Sequence, residues 1–171
     1  MKNNSWIGLA RGLGLRSLIK GDFKTAARVF EGYNRNNQQP IRLQDIASNN
    51  PQLTQQSVLK IYPSAGEEHK GLSLLGFTYE LAGREGDART EYTRTAEAFR
   101  RDYVHSDNQY AAARLFEELG DKESAARTLL PLQSVYQSHL DSDTIHLCSP
   151  DLFRLGFFHL TNDLRRLGVA A

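Results

Sequence analysis

His146 and Cys148 sit two residues apart, with Asp143 just upstream, and are the residues whose types and spacing come nearest to chemistry. An imidazole beside a thiol could begin a metal site or pair a base with a sulfur nucleophile. A zinc site takes about four ligands in tight spacing, and His69, His105, His139 and His159 fall in no such spacing. As a nucleophile and base the pair is poorly placed, since side chains two apart on a helix point in different directions. The glycine-rich run Gly8–Gly14, GLARGLG, lacks the Gly-Lys-Ser/Thr ending and the preceding strand of a phosphate loop. In EAFRRDY, Arg100 and Arg101 complement the dipole at a helix end. The expectation is therefore no catalytic residue, no metal and no cofactor. A small helical enzyme using His146 and Cys148 stands as the alternative.

Composition bounds the remaining choices. A chain of 171 residues with 40% hydrophobic residues can bury a core as one domain. Net charge is +1, which gives no global argument for nucleic acid or an acidic partner. The charge is uneven, however. Residues 1–42 carry eight Lys and Arg against Asp22 and Glu31, or +6, leaving −5 for the rest. A basic end could meet an acidic protein or a phosphate surface. Trp6, Ile7, Leu9 and Leu13 beside Arg11, Arg16 and Lys20 would suit a membrane- or nucleic-acid-docking helix as an alternative. The single cysteine suits a reducing compartment. Arg11 and Arg16 interrupt the apolar N-terminal stretch, so neither a secretory signal nor a membrane span is expected there. Cytoplasmic location is the expectation, with a mitochondrial presequence as a second reading because no acid precedes Asp22.

The elements that would position any site come from a repeat. Three glycines are each followed by a small residue five positions on and a large apolar residue four after that. The sets are Gly21, Ala26, Phe30; Gly83, Ala88, Tyr92; and Gly120, Ala125, Leu129. Seven residues before each glycine stands another small residue, Gly14, Gly76 or Ala113, and in two copies an aromatic follows it, Tyr79 or Phe116. A small residue lets a neighbouring helix approach, and a bulky one fills the space beside it. The glycine ends the first helix in a left-handed conformation. Asp22 and Asp121 then stand where an N-cap carboxylate accepts backbone N–H groups. This predicts paired helices over 5–36, 69–102 and 106–138. A degenerate unit over 40–62 has Asn49 as its anchor, Asn50 as cap, Pro51 at the first helical position, and NRNNQQP ahead of it as a loop. Ser149 and Pro150 open capping helices over 149–168, which close the stack as repeat arrays require.

The run Leu75-Gly76, Tyr79, Gly83, Ala88, Tyr92 resembles the tetratricopeptide repeat, and the copies at Ala112-Ala113 and Leu13-Gly14 resemble it less closely. The resemblance covers about two thirds of the chain. It implies an all-α solenoid of helix pairs forming a right-handed superhelix, with no catalytic activity and a concave groove that holds a peptide or helix of a partner protein. Offsets of three, seven and ten along each first helix would place Gly8, Arg11, Leu15 and Leu18, then Lys70, Ser73, Phe77 and Glu80, then Asp107, Tyr110, Arg114 and Glu117 along that groove. Phe77 stands where members that clamp a carboxylate have Asn, which argues against that activity. The expected function is a protein-binding adaptor or chaperone whose partner is another protein.

Overall fold

A computed structural model describes residues 3–47, 55–101, 106–140 and 150–169, and helices are the regular structure among them. The all-α expectation holds. No described helix is long and apolar enough to cross a membrane. The chain divides into two compact units, residues 1–98 and 99–171.

The first unit opens with α1 (Asn3–Leu9), a π-helical turn (Ala10–Gly14) and α2 (Leu15–Ile19), followed by α3 (Phe23–Asn37). It continues through α4 (Leu43–Ala47), α5 (Gln55–Ile61), a 3-10 turn (Pro63–Gly66) and α6 (Glu68–Leu72) to α7 (Leu74–Leu81) and α8 (Glu85–Arg100). Gly21 and Gly83 end α2 and α7 with φ of 77° and 70°. Each closes the same pair of bonds: the glycine N–H donates to the carbonyl three residues back, and the next N–H to the carbonyl five back, Asp22 to Ser17 at 2.9 Å and Arg84 to Tyr79 at 2.8 Å. The left-handed glycine thus satisfies the orphan carbonyls of the helix end. Asp22 caps α3 by accepting the Thr25 N–H at 3.1 Å.

The small and large residues of the repeat meet as expected. A Cβ built on Gly14 would lie 2.7 Å from the Phe30 ring, and one on Gly76 would lie 2.7 Å from the Tyr92 ring. A third such contact, Trp6 over Gly32, ties α1 to α3. The interior of the unit is Leu15, Leu18, Phe30, Ile41, Val58, Leu74 and Phe77, all fully buried.

Four local expectations change. The first helix is not uniform: Leu15 N–H reaches Ala10 O, five residues back. The extra residue turns everything after it by roughly 100° relative to a plain α-helix. The helix expected over 69–82 is broken at Ser73, which is extended (φ −139°, ψ 96°) and caps α7 through the Gly76 N–H at 3.2 Å. The Leu74 N–H donates to Ile41 O at 3.0 Å, so a tertiary bond fixes the break. The polar run expected as a loop is helical through Asn37. Asn36 and Asn37 amides donate back to Gly32 O and Tyr33 O, and Gln38 ends the helix left-handed at φ 56°. Finally, α3 packs directly on α7, so the first and third predicted hairpins are neighbours and the described residues between them, 38–47 and 55–72, form an excursion. Asn49, Asn50 and Pro51 lie outside the described residues.

The second unit contains α9 (Ser106–Glu118), α10 (Lys122–Leu140) and α11 (Pro150–Arg166), with α10 packed on both others. Gly120 (φ 79°) and Asp121 repeat the turn and cap, with Ser124 N–H donating to Asp121 Oδ1 at 3.0 Å. The predicted closing segment forms one continuous helix with Leu160 and Leu164 fully buried. Its Gly156 lies under the Tyr136 ring of α10, with a built Cβ 2.9 Å away. Gly168 (φ 88°) ends it by the same double bond, Val169 N–H to Leu164 O at 2.9 Å, a stop the repeat pattern did not mark.

Candidate functional site

The groove positions expected in the first unit are not open. Leu15 and Ser73 are 0% exposed and Phe77 is 1% exposed, so none of the three can touch a guest. This corrects their placement. Ser73 works as a helix cap, and Leu15 follows the π turn that rotates it inward. What covers the face is the excursion. Tyr62 stands between Phe23 and Phe77, with ring centroids 6.5 and 5.9 Å away, and its hydroxyl donates to Leu18 O at 3.1 Å. Arg11 is turned the same way, its Nη2 donating to Asp45 O at 2.7 Å. Lys70 is drawn into an ion pair with Glu80 at 2.7 Å, and Tyr92 donates to the other Glu80 oxygen at 3.1 Å. The Glu80 hydrogen bond, foremost, raises the Lys70 pKa.

In the second unit Asp107 and Arg114 are exposed, whereas Tyr110 and Glu117 are engaged. The Tyr110 phenol is pushed up to about 12, chiefly by burial and then by Tyr136 and Asp163. Glu117 pairs with Arg166 of α11. The terminal helix therefore touches the face that was expected to be open. His146, Cys148 and Asp143 lie outside the described residues.

A different concavity remains open on the first unit. The first half of α3 and the end of α7 enclose a recess of 380 Å³ lined by Phe23, Lys24, Ala27, Arg28, Glu31, Tyr79, Ala82 and Arg84. Its floor is apolar, made by Phe23, Ala27, Ala82 and the Tyr79 ring. Tyr79 donates its hydroxyl to Glu31 at 2.5 Å, and the Arg84 guanidinium lies 4.3 Å above the ring centroid. Burial first, and then the Glu31 carboxylate, hold the phenol proton in place by raising its pKa. Tyr79 is thus a fixed neutral donor and not a base. Arg84 also pairs with Asp87 at 2.7 Å. Lys24 and Arg28, one helical turn apart, are exposed and make no hydrogen bond or ion pair among the described residues. They lower the Asp22 pKa only after its bonds to Thr25.

A second recess of 280 Å³ adjoins it, sharing Glu31 and Tyr79 and adding Asn34, Arg35, Leu75, Glu91 and Arg94. The buried Glu91 carboxylate is satisfied internally: Asn34 donates at 2.9 Å and Arg94 donates twice, at 2.9 and 2.7 Å. Arg35 on the rim is exposed and unpaired among the described residues. Both acids of this face are tied to donors while Lys24, Arg28 and Arg35 are not, so a ligand meets a positive rim around an apolar floor. The sequence reading missed these cations because it looked to first helices. The available signal was the +6 of residues 1–42 and the one-turn spacing of Lys24 and Arg28.

Comparison with family models, with curated proteins and with solved structures finds no match to this chain.

Proposed function

We propose that the chain is a non-catalytic docking module, an adaptor or chaperone of tetratricopeptide-like build, that holds a short acidic segment of a partner protein on the α3–α7 recess. The observation that carries this reading is the pairing of an apolar floor with rim cations that make no hydrogen bond or ion pair among the described residues. An apolar side chain seated on Phe23, Ala27 and Tyr79 would contribute about 1.5–3 kcal/mol. Each exposed ion pair to Lys24 or Arg28 adds only about 0.2–1 kcal/mol. After the cost of ordering the segment, binding is weak and exchangeable, as suits a docking module. The cations select the partner by charge and speed its arrival more than they hold it.

The test is fluorescence anisotropy with a set of labelled ten-residue peptides that carry one Leu or Phe among Asp and Glu. Wild type should bind members of the set at micromolar to millimolar concentration. The variant Lys24→Glu/Arg28→Glu should lose at least tenfold, and raised salt should mimic it. Equal binding by the charge-reversed variant, or no acidic peptide bound at all, overturns the reading.

A further inference from the structure

We infer, building on the docking reading above, that the residue the partner segment presents to the α3–α7 recess is a phosphotyrosine, its ring on the apolar floor and its phosphate between Lys24 and Arg28.

Phe23 and Ala27 are four residues apart on α3 and lie on the floor, while Lys24 and Arg28, also four apart, stand on the rim. The two rows are a single residue out of step, and all four residues line the same recess. Residues four apart on a helix have Cβ atoms about 5–6 Å from one another, so the Lys24 ammonium and the Arg28 guanidinium can close on one anion. Neither makes a hydrogen bond or ion pair among the described residues. The acids nearby are engaged elsewhere. Asp22 accepts from the Thr25 N–H at 3.1 Å, Glu31 from the Tyr79 hydroxyl at 2.5 Å, and Asp87 from Arg84 at 2.7 Å. Glu31 lies seven residues beyond Lys24, or about 10 Å along the helix axis, so an anion at the Lys24 end of the pair is kept from it.

Two cations that meet on one guest group favour a doubly charged one. A carboxylate brings one charge and two oxygens. A phosphate brings about −1.5 to −2 charges at pH 7 and three acceptor oxygens, enough for an ammonium and a guanidinium together. The floor then decides what carries the phosphate. Floor and cations share a recess of 380 Å³, so a single side chain must reach both. Phosphoserine has no apolar surface to lay on Phe23 and Ala27. Phosphotyrosine holds a ring and a dianion on one stiff side chain. On the α7 side, Arg84 lies 4.3 Å over the Tyr79 ring with half of its side chain exposed. A guanidinium stacks on aromatic faces, so a guest ring has a second neighbour there.

The test uses the full chain and four labelled ten-residue peptides. They share one host rich in Asp and Glu and differ at a single central position, which is phosphotyrosine, tyrosine, phosphoserine or serine. Anisotropy titrations at pH 7.5 should place phosphotyrosine at least fivefold tighter than tyrosine and at least fivefold tighter than phosphoserine, since it alone fills floor and rim together. Lys24→Gln/Arg28→Gln should remove most of the gain from the phosphate. Lowering the pH to 5.5 protonates the phosphate, whose second pKa is about 6, and should weaken the phosphotyrosine peptide at least twofold. The tyrosine peptide, whose carboxylates stay ionised, should hold its affinity. No histidine is among the described residues that line the recess, so that change belongs to the ligand. A smaller gain from the phosphate, with the tyrosine peptide still bound, leaves the acidic-segment reading standing and overturns this inference. Equal binding of phosphoserine and phosphotyrosine, or a phosphate gain unmoved by Lys24→Gln/Arg28→Gln, overturns it too. Binding by none of the four overturns both.

Discussion

Replacing Gly76 by alanine should fail to stabilise the protein, while replacing Gly8 by alanine should stabilise it, and the difference measures the ring contact on which the first unit is built. Both glycines are helical, in α7 and α1. In each, alanine gains about 1 kcal/mol or slightly less of helix propensity. At Gly8 the new Cβ meets nothing within 4 Å, so the gain is kept. At Gly76 it would stand 2.7, 2.8 and 3.1 Å from three atoms of the Tyr92 ring. That ring cannot simply swing aside, because Tyr92 is 6% exposed and its hydroxyl is bonded to Glu80. Forcing one methyl into such a contact costs about 1–3 kcal/mol. Subtracting the two substitutions cancels the propensity term and should leave about that amount. Urea unfolding read by the emission of Trp6, the chain's single tryptophan, reports on the first unit, which holds both sites. In a Tyr92→Leu background the Gly76→Ala substitution should become favourable. If Gly76→Ala stabilises wild type as much as Gly8→Ala does, Tyr92 does not lie on Gly76 and the small-to-large pairing is not what joins α7 to α8.

Asn34→Ala should destabilise the first unit by about 2 kcal/mol, because it strips one donor from the buried Glu91 and the acceptor from the Ile41 N–H. A loss below about 0.5 kcal/mol in the same urea assay would show that water replaces both bonds. Asp121 carries the pH dependence of the α10 cap. Its carboxyl is held below its ordinary pKa by the Ser124 hydrogen bonds, so the stabilisation is present above about pH 4 and fades as pH falls through the lowered value. Asp121→Asn keeps an acceptor but no charge, so its thermal midpoint, followed by circular dichroism from pH 6 to 2.5, should fall less steeply than that of wild type. Parallel curves would refute the cap.

The helix ends were legible because they are local. Gly21, Gly83 and Gly120 each need a positive φ, and each is followed by the residue that restarts the chain. The close crossings were legible because a glycine and a ring at fixed offsets, Gly14 with Phe30 and Gly76 with Tyr92, can be counted along the chain. What failed were inferences that assume an unbroken α-helix. The π turn at Ala10–Gly14 shifts the face counted past it, Ser73 leaves the helix to cap the next, and Phe77 is covered by Tyr62, which is why Leu15, Ser73 and Phe77 were placed outward. Neither interruption has a proline to announce it. The break at Ser73 depends on Leu74 reaching Ile41, 33 residues earlier. Asn34 likewise reads as loop and is in fact a buried connector between α3, Glu91 and Ile41. The recess was hidden for the same reason, since Glu31 and Tyr79 are 48 residues apart and only the packing of α3 on α7 brings them together.

The distribution of charge on the first unit separates structural groups from available ones. Glu31, Glu80 and Glu91 are each bound by donors from another element: Tyr79 for the first, Lys70 and Tyr92 for the second, Asn34 for the third. Removing any of them leaves a partner unsatisfied, so their loss is a folding defect and says nothing about binding. Lys24, Arg28 and Arg35 are the opposite case. They are exposed and unpaired among the described residues, and exposed charges of this kind shift stability by no more than about 0.5 kcal/mol. Stability therefore gives no reason for three cations to gather at the rim of two adjoining recesses, the first of which has an apolar floor. Solubility alone would be served as well by cations placed elsewhere on the surface. The placement itself is what an acidic guest would use, and because charge reversal there spares the fold, a lost affinity can be read as a lost contact.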